Sequence, residues 1–449
     1  MSTPTSSSTI LPTPLDLAPA DQSVTTLLSD SPLTVKRSIL PGGVRLLTEH
    51  IPGVRSATIG LWVGVGSRDE SAHQLGGAHF LEHLLFKGTR RRSALQIATA
   101  FDAVGGESNA ATAKEATRYW AKVLDDDVPM ALSTLADMVT GSLLRSEDIS
   151  TERTVIIDEL AASEDSPAEV TQEAFSLAVH GNTPLGRPIG GTAATVSNMT
   201  DDAIRELYRQ FYLPQRLVVA AAGNIDHESL MDLLTEALSR SGWDLDEHVT
   251  PVGPRPVSPL AGRPAQDPYE IEISRDIEQA HLMIGGDWMN ISDPRRPASS
   301  ILFTMLGGGV SSRLFQEIRE RRGLAYTTYA ASSGYSDSGL FGLYAGCAPQ
   351  NLAEVEKIMW GEVEKLASGQ FDDAELERAK GQMRGEIALG LEDSGARMGR
   401  LGQSELRGEF LAVDSVLQNI AVVQRPEVTA LAQLMLEVPH ARAVVTTNG

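Results

Sequence analysis

The strongest chemical signal in the chain is the segment GGAHFLEHLLFKGT, which contains His79, Glu82 and His83. Positions i, i+3 and i+4 share one face of an α-helix, so these three side chains project together. Two imidazoles one turn apart can both bind a single Zn²⁺ ion at about 2.0–2.1 Å. A carboxylate beside them can accept the proton of a water molecule that attacks a carbonyl carbon. The spacing therefore predicts metal-assisted hydrolysis.

The order H-x-x-E-H is the inverse of the commoner zincin motif and is typical of inverzincin metallopeptidases. The alternative is an exposed helix face that carries His and Glu without a metal. The other positions of this helix are mainly Phe and Leu, and an isolated buried charge is costly. The polar face therefore needs a specific partner, and we predict zinc-dependent peptide-bond hydrolysis with Glu82 as the general base.

A catalytic zinc ion needs a third protein ligand and an open coordination position. The helix predicted from Ser146 to about Ala162 offers Glu152 and Glu159, which are seven residues apart and share one face. Other carboxylates of this region are Glu147, Asp148, Asp158, Glu164 and Asp165. Periodicity alone does not choose among them.

The elements around the motif follow from local patterns. A helix is predicted to begin at Ser93, an N-cap residue, and to stop at Gly105-Gly106. Strands are predicted around Ser108–Thr112 and Thr117–Leu124, where polar and apolar residues alternate. The motif helix thus lies among strands, as expected for a mixed α+β domain.

The two halves of the chain show the same order of elements. TRYWAKVLDDD precedes a helix and then SEDISTERTVIIDELAASEDS, and GLFGLYAGCAP precedes a helix and then FDDAELERAKGQMRGEIALGLEDS. This order predicts a duplicated α+β unit. The second half has no H-x-x-E-H and only two histidines, His281 and His440, so it cannot repeat the zinc motif.

Composition predicts the boundaries of these units. A chain of 449 residues suits two domains of about 200 residues each. Residues 1–33 are rich in Ser, Thr and Pro, and this composition predicts a disordered tail. Residues 249–268 contain six prolines and predict a linker. They separate an N-terminal zinc-binding peptidase domain, residues 34–248, from a C-terminal domain, residues 269–449, that contributes substrate contacts.

Several segments together are similar to the pitrilysin/insulinase family of inverzincin metallopeptidases, and within it to bacterial relatives of the mitochondrial processing peptidase β subunit. They are GGAHFLEHLLFKGT, GGESNAATAKEATRYWAKVL, ERTVIIDELAASEDSP and LGGGVSSRLFQEIRERRGLAYTTYAASSGYSDSGLFGLYAG. The resemblance implies two similar domains, each a mostly antiparallel sheet with helices packed on it, which form a clamshell around a chamber.

The resemblance also implies the zinc ligands. In this family the third ligand is the last Glu of the segment TVIIDE, which is Glu159 here, so one Zn²⁺ per chain is bound by His79, His83 and Glu159. Glu152 corresponds to a carboxylate that supports the ligands from behind. Its alternative role is that of a carboxylate near the helix N-terminus that stabilises the helix dipole.

Substrate contacts are implied in both halves. Family members bind the peptide as an added β-strand along an edge strand that carries Asn-Ala, here Asn109-Ala110; the alternative is a plain hairpin. An Arg and a Tyr of the second half, here Arg319 and Tyr326, hold the substrate near the scissile carbonyl, where donors stabilise a developing oxyanion.

Bulk properties restrict partners and location. The net charge of −21 argues against nucleic-acid binding. It is explained either by ordinary acidic solubility or by a negative chamber that attracts basic peptides. No apolar run is long enough for a transmembrane helix, Cys347 is the only cysteine, and no signal peptide is recognised, so we expect a cytoplasmic protein without membrane partners.

Other functional classes remain to be separated by experiment. The expected partners are peptide or unfolded protein substrates and a second copy of the chain in a homodimer; a heterodimer with a motif-poor subunit is the alternative. A catalytically inactive scaffold or partner subunit of the same fold is the main alternative function. A zinc-containing module that binds peptides without turnover is a third, which the intact Glu82 disfavours.

Overall fold

The computed structural model describes residues 9–18, 23–30, 33–256 and 269–447. In these residues the chain forms a seven-stranded sheet and a five-stranded sheet with helices packed on them, and a short two-stranded sheet. The strands are β1 (Thr13–Pro14), β2 (Thr25–Asp30), β3 (Leu33–Leu40), β4 (Val44–His50), β5 (Ser56–Val63), β6 (Glu107–Thr112), β7 (Thr117–Leu124), β8 (Leu217–Gly223), β9 (Glu270–Ser274), β10 (Ala280–Asp287), β11 (Ala325–Gly334), β12 (Gly339–Cys347), β13 (Glu409–Phe410) and β14 (His440–Thr446). The helices are α1 (Gly77–Leu84), α2 (Ala94–Asp102), α3 (Val128–Gly141), α4 (Ser146–Glu164), α5 (Pro167–His180), α6 (Ala193–Asn198), α7 (Asp201–Phe211), α8 (His227–Ser239), α9 (Arg296–Gly307), α10 (Leu352–Ala367), α11 (Asp373–Gly390), α12 (Ser394–Arg407), α13 (Val413–Ala421) and α14 (Arg425–Glu437).

The two sheets share one strand order. The first contains β6-β7-β5-β8-β4, extended by β3 and β2, and the second contains β11-β12-β10-β14-β9. In each set of five, the last pair is parallel and the other three pairs are antiparallel. The predicted fold class, two similar α+β units with mostly antiparallel sheets, is therefore confirmed.

One face of each sheet packs against helices of its own half. In the first half, Ile59 and Tyr119 of the sheet share a fully buried core with Leu135 of α3. In the second half, Phe341 and Leu343 share a core with helices that include α9 and α10. Strand side chains alternate between the two faces of a sheet, so the residues between these positions point to the opposite face.

The opposite faces are covered by an exchange of helices between the halves. Helix α5 of the first half packs on the second sheet, where Phe175 lies in a core with Met283 and Tyr344. Helix α12 of the second half packs on the first sheet, where Met398 lies in a core with Trp62. Both faces are thus buried at the central strands of each sheet, which explains why β8 and β12 are buried at every position.

The N-terminal region differs from the disordered tail predicted for residues 1–33. Residues Thr25–Asp30 form β2, which pairs with β3, and Thr13–Pro14 pairs with β13 of the second half. Leu28 packs against the core beneath it, so this Ser- and Thr-rich segment buries enough apolar surface to be ordered. Residues 1–8, 19–22 and 31–32 of the predicted tail lie outside the described residues.

Most of the predicted linker also lies outside the described residues, namely 257–268. The preceding residues run along the first half, where the Val252 amide donates to the Gln215 carbonyl at 2.8 Å. None of the described helices is long and apolar enough to cross a membrane.

Candidate metal centre

Helix α1, which carries the H-x-x-E-H motif, begins at a glycine that the fold requires. Gly76 has a φ of 93°, and a Cβ there would collide with the carbonyl oxygen of Gly190. The buried carboxylate of Glu70 accepts hydrogen bonds from the amides of Gly76 at 2.8 Å and Ala78 at 2.7 Å. It thereby satisfies two amides that the first helical turn leaves unpaired. The start of the motif helix is thus fixed from outside the motif.

The structure brings His79, His83 and Glu159 into one cluster. Their ligand atoms all lie within 4.8 Å of one another, and in the described part of the chain they are the one such group of three or more His, Cys, Asp or Glu residues. Glu159 Oε1 is 3.8 Å from His79 Nε2, and Glu159 Oε2 is 3.4 Å from His83 Nε2. The two imidazole rings lie edge to face, with centroids 4.8 Å apart.

Helix α4 supplies both Glu159 and Glu152, two turns apart on one face. Glu152 Oε2 lies 3.2 Å from His83 Nδ1, and its other oxygen accepts from Lys87 Nζ at 2.7 Å. The side chain of Glu152 is only 3% exposed and lies beyond the first turn of the helix. The alternative role as a carboxylate that stabilises the helix dipole therefore does not describe it.

The other carboxylates of this region lie elsewhere. Glu147 and Asp148 face Arg145, at 4.0 and 3.8 Å. Asp158, Glu164 and Asp165 do not belong to the cluster. Periodicity left the third partner of the histidines open, and the packing of α4 against α1 selects Glu159.

His79 has an unusual environment. Its Nδ1 atom is buried and has no hydrogen-bond partner in the described residues, and the backbone of Gly190 lies behind it. Burial, together with the neighbouring His83, lowers the pKa of His79. Its ring is therefore held neutral, the form in which a histidine nitrogen can bind a metal ion.

Glu82 faces the edge of the first sheet. Its Oε2 accepts a hydrogen bond from the hydroxyl group of Thr112, the last residue of β6, at 2.5 Å. Strand β6 ends the sheet order, so one of its edges has no strand partner among the described residues. The carboxylate of the motif thus lies beside an open strand edge.

Asn109 and Ala110 lie on this same strand, opposite Trp120 and Tyr119 of β7. Asn109 is exposed, and its Oδ1 accepts from the Ala110 amide at 2.8 Å. Both residues belong to the hairpin that the alternative interpretation proposed, and the hairpin is at the edge of the sheet. The two interpretations are therefore compatible.

Arg319 and Tyr326 contact each other in the second half. The Arg319 guanidinium lies 4.5 Å from the centroid of the Tyr326 ring and 4.7 Å from that of Phe315. Tyr326 is 72% exposed and occupies an irregularity in the pairing of β11 with β12. The contacts of these two side chains lie within the second half, so the structure does not bring them to the histidine cluster.

The residues of the cluster fit a zinc ion. Two imidazole nitrogens and a carboxylate are typical ligands of catalytic zinc, and a tetrahedral ion with bonds of about 2.0–2.1 Å places its ligand atoms about 3.3 Å apart. The separations from the two oxygens of Glu159 are 3.8 and 3.4 Å, and all ligand atoms lie within 4.8 Å, somewhat wider than this value. Glu159 is half exposed, which leaves one side of the cluster open to solvent.

Comparison with known proteins identifies the family. The chain is 49% identical over 405 residues to an uncharacterized zinc protease of Streptomyces coelicolor, covering 90% of this chain and 87% of that protein. It is 34% identical over 422 residues to an uncharacterized zinc protease of Bacillus subtilis, covering 92% and 99%. The chain belongs to peptidase family M16, the insulinase family. The resemblance of the sequence motifs to the pitrilysin/insulinase family is confirmed.

The two halves match different parts of family M16. Residues 45–193 match Insulinase (Peptidase family M16), and residues 198–383 match the Peptidase M16 inactive domain. The absence of H-x-x-E-H from the second half agrees with the second match.

The M16 fold is also seen in solved structures. A protease from Helicobacter pylori has a TM-score of 0.81, 20% identity and coverage of 92% of this chain and 99% of that chain. A peptidase M16 inactive domain from Pseudomonas fluorescens has a TM-score of 0.82, 17% identity and coverage of 92% and 98%.

Three contacts of the site were not predicted from the sequence: Glu70 at the start of α1, Lys87 on Glu152 and Thr112 on Glu82. Lys87 follows His83 by four residues, so helical spacing could have suggested that it lies near the motif. Glu70 and Thr112 come from separate elements, and no local pattern in the sequence connects them with α1.

Proposed function

We propose that this M16 protein is a zinc metalloendopeptidase that hydrolyses peptide bonds of unstructured peptides, which it holds as an added β-strand. One observation carries the proposal: two histidines and a distant glutamate converge at a site whose fourth polar residue, Glu82, touches an open strand edge. The names of the relatives, zinc proteases of bacteria, support the same function.

One zinc ion per chain would be held by His79, His83 and Glu159. Bound zinc supplies a Lewis acid that lowers the pKa of water and polarises a carbonyl group. The protein supplies the orientation of the ligands: His83 presents Nε2 to the cluster because its Nδ1 donates to Glu152, and Lys87 holds Glu152 in place. Such a carboxylate–histidine pair fixes the tautomer and increases the basicity of the ligand.

Glu82 acts as the general base. The Thr112 hydroxyl donates to one carboxylate oxygen, Oε2, and fixes the rotamer of the side chain. The other oxygen is then available to accept a proton from the attacking water and later to deliver it to the leaving amine. Glu82 is the one carboxylate within α1, and its contact with Thr112 connects the helix that carries the histidines with β6.

The peptide binds along β6. An extended chain can pair with the open edge through its main-chain amides and carbonyls, which accepts many sequences. Asn109 and Ala110 lie in the middle of this strand, and Thr112 at its end contacts Glu82. A peptide paired with β6 would therefore pass beside the general base, with its scissile bond fixed by the register of pairing.

Arg319 and Tyr326 complete the site from the second half. A guanidinium and a phenol can donate hydrogen bonds to a developing oxyanion, which is where donors lower the barrier most. Since the two side chains contact each other but not the cluster, this role requires that the halves approach one another when substrate is bound. The high exposure of Tyr326 leaves its phenol free to reach a bound peptide.

The deciding experiment changes Glu82→Gln and compares it with Glu147→Gln, whose carboxylate is 77% exposed on α4. Zinc is measured by elemental analysis, and cleavage of a long basic peptide by mass spectrometry. We expect Glu82→Gln to keep one zinc ion per chain and to lose about 10²–10⁴-fold in rate, and Glu147→Gln to change neither. In the same assay, Tyr326→Phe should keep the zinc and lower kcat by about 10²-fold.

Each result separates the alternatives. Cleavage that survives in Glu82→Gln would assign the base to another group. Zinc-loaded wild-type protein that binds peptides for hours and forms no products would favour the inactive scaffold or the peptide-binding module. A Tyr326→Phe variant with normal kcat would remove the Tyr326 phenol from the chemistry.

A further inference from the structure

A cavity of about 1020 Å³ is lined by residues of both halves of the chain. Its walls include Arg45, Trp62 and Arg216 of the first half and Tyr335 and Arg407 of the second half. The described residues that line it include none of the three residues of the histidine cluster. Its volume is at the upper end of the range of about 300–1,000 Å³ that is usual for small-molecule sites.

The cavity is cationic although the whole chain has a net charge of −21. The lining contains five cationic side chains and only two carboxylates, Asp69 and Glu115. Both carboxylates already have partners: Asp69 accepts from Arg255 at 2.7 and 2.8 Å, and Glu115 lies 2.5 Å from Arg68. They therefore do not neutralise the remaining arginines.

Two of these arginines have no carboxylate within 4 Å in the described part of the chain, Arg216 and Arg407. The Arg216 guanidinium lies over the ring of Phe211, 5.2 Å from its centroid. Arg407 donates through Nε to the Gln403 carbonyl of its own helix at 3.1 Å. Most of the donors of these two guanidinium groups are thus left for a ligand.

Arg45, a third arginine of the lining, is almost completely buried. It is 2% exposed, and its buried Nε atom has no hydrogen-bond partner in the described residues. Its closest carboxylate, Glu405, is 4.0 Å away and is already bonded by Arg37 through both oxygens at 2.8 Å. One carboxylate is therefore shared by two buried arginines.

Burial and the surrounding charges act on the pKa values of these arginines. Burial, with smaller contributions from Arg37 and Arg216, lowers the pKa of Arg45 to about 10. Burial also lowers the pKa of Arg407, and burial together with Arg407 lowers the pKa of the adjacent Arg296. Partly buried cations without counter-charges are costly, and a bound anion would offset this cost.

We propose that this cavity binds a small organic molecule that carries phosphate groups, with Arg216 and Arg407 as the phosphate ligands. The planar guanidinium group binds phosphate through two parallel hydrogen bonds. Tyr335, Ile291 and Leu406, which are only partly buried, supply apolar surface for the organic part of the ligand. Arg216 belongs to the first half and Arg407 to the second, so one ligand would connect both halves and stabilise the folded chain by mass action.

The test uses the full-length, zinc-loaded protein and three probes: fructose 1,6-bisphosphate, inorganic phosphate and fructose. Binding is measured by isothermal titration calorimetry and by the shift in Tm, and the zinc content is checked before and after each titration. We expect the bisphosphate to bind and to raise the Tm, phosphate to bind more weakly, and fructose to have no effect. A wild-type protein that binds none of the phosphate compounds would overturn the proposal, and phosphate binding as tight as that of the bisphosphate would overturn the assignment of an organic ligand.

The variants Arg216→Gln and Arg407→Gln locate the site. Each should raise the Kd of the bisphosphate by about tenfold or more, because a charged hydrogen-bond donor is lost, and neither should lower the Tm without ligand, because an unpaired cation is removed. The matched control is Arg378→Gln, an exposed arginine on α11, which should bind as the wild type does. Equal losses in the control and the two variants would show that binding follows overall charge and would overturn the site.

A more conservative variant tests the site even if Arg407→Gln does not fold. Arg407→Lys keeps the charge and loses the planar pair of donors, so it should bind with an affinity between those of wild type and Arg407→Gln. A second variant, Arg216→Lys, tests the other arginine in the same way. If both lysine variants bind the bisphosphate as tightly as the wild type does, the planar guanidinium donors are not needed, and the assigned phosphate ligands would be contradicted. Binding and the Tm are measured without peptide cleavage, so the outcome does not depend on whether the protein is a peptidase.

Discussion

At the scale of single residues, the two nitrogens of His83 explain why α1 and α4 are needed together. Nε2 points to Glu159 and Nδ1 to Glu152, at 3.4 and 3.2 Å. One ring is thus held between two carboxylates of the same helix, one half exposed and one buried. The exposed carboxylate is suited to bind a metal ion and the buried one to orient the ring.

This arrangement predicts the effect of Glu152→Gln. The amide keeps the size of the side chain but loses the charge that holds both His83 and Lys87. We expect the zinc affinity to fall by about 10–100-fold, and cleavage to return when zinc is in excess. The affinity is measured by competition with a chromogenic chelator.

The control for this experiment is Glu147→Gln on the same helix, which should leave the zinc affinity unchanged. An unchanged affinity with normal cleavage in Glu152→Gln would mean that Glu152 serves only to anchor Lys87. An unchanged affinity with lost cleavage would place Glu152 in the chemistry.

The sequence predicts part of the site for a physical reason. The relation among His79, Glu82 and His83 is set by the geometry of one helix, so spacing alone is sufficient. Glu159 lies on another helix, and its choice over Glu152 and its neighbours required either the family resemblance or the packing of α4. Thr112 and Glu70 touch the motif helix through tertiary contacts, which no local pattern determines.

At the scale of elements, α12 approaches the first sheet closely because it has a glycine at the contact. A Cβ at Gly402 would overlap the indole ring of Trp62, which is itself packed under the helix. We therefore expect Gly402→Ala to destabilise the protein by about 1–3 kcal/mol, the usual cost of overpacking. The free energy of unfolding is measured in urea.

The chain offers a matched control in Gly381, a glycine within α11 that has no atoms within 4 Å of an added Cβ. Gly381→Ala should stabilise the protein by about 0.5–1 kcal/mol, because alanine restricts the unfolded chain and favours the helix. If both variants gained stability, the contact between α12 and Trp62 would be looser than described.

Helix α8 begins with a buried histidine that connects it to two strands. His227 is 2% exposed, with Nδ1 2.8 Å from Thr48 Oγ1 and Nε2 3.0 Å from Ser38 Oγ. Burial lowers the pKa of His227 to about 4; Glu228 and Asp226 raise it by smaller amounts, and Lys36 lowers it further. The ring is therefore neutral in the folded protein under ordinary conditions.

Because His227 is buried in its neutral form, we predict that the folded protein loses stability in acid. In the unfolded chain its pKa is about 6.5, so below that pH the unfolded state binds a proton that the folded state does not bind until about pH 4. The contribution to stability is complete above about pH 6.5 and falls by about 3 kcal/mol as the pH drops towards 4. Thermal unfolding from about pH 7 to about pH 4.5 measures it.

Two variants isolate this effect. His227→Gln cannot titrate, so its Tm should start lower at neutral pH but decline less steeply in acid than that of the wild type. His248→Gln removes an exposed histidine and should follow the wild type throughout. Parallel curves for all three proteins would assign the acid sensitivity to other groups.

The predicted bounds of many elements agree with the structure, whereas their partners do not follow from the sequence. The helix expected to begin at Ser93 has Ser93 as its N-cap, and the strand expected over Thr117–Leu124 is β7. The apolar face of α5 shows that the helix must be covered, but not which sheet covers it. The exchange of α5 and α12 is therefore visible only in three dimensions.

At the scale of the whole molecule, this exchange joins the halves more firmly than a linker would. Arg37 of β3 and Glu405 of α12 form a pair with side chains that are 6% and 0% exposed. Glu49 of β4 faces both Arg397 and Arg400 of the same helix. Breaking such a buried pair leaves an uncompensated charge and costs about 3–5 kcal/mol, so α12 should remain on the first sheet during any opening of the halves.

Because α5 and α12 each pack on the sheet of the other half, we can predict how the two halves behave as separate fragments. Without α12, the first half exposes the apolar side chains of Trp62, Val218 and Ala220, and an exposed patch of this kind promotes aggregation. We expect residues 1–262 and residues 263–449 to be insoluble when each is expressed alone, and to purify as one complex when expressed together. A full-length chain with a protease site inserted between residues 257 and 268 should stay in one particle after cleavage, as measured by size-exclusion chromatography with light scattering. Two separate, soluble and monomeric fragments would show that each half completes its own core, and the shared cores around Trp62 and Phe175 would then contribute little to stability.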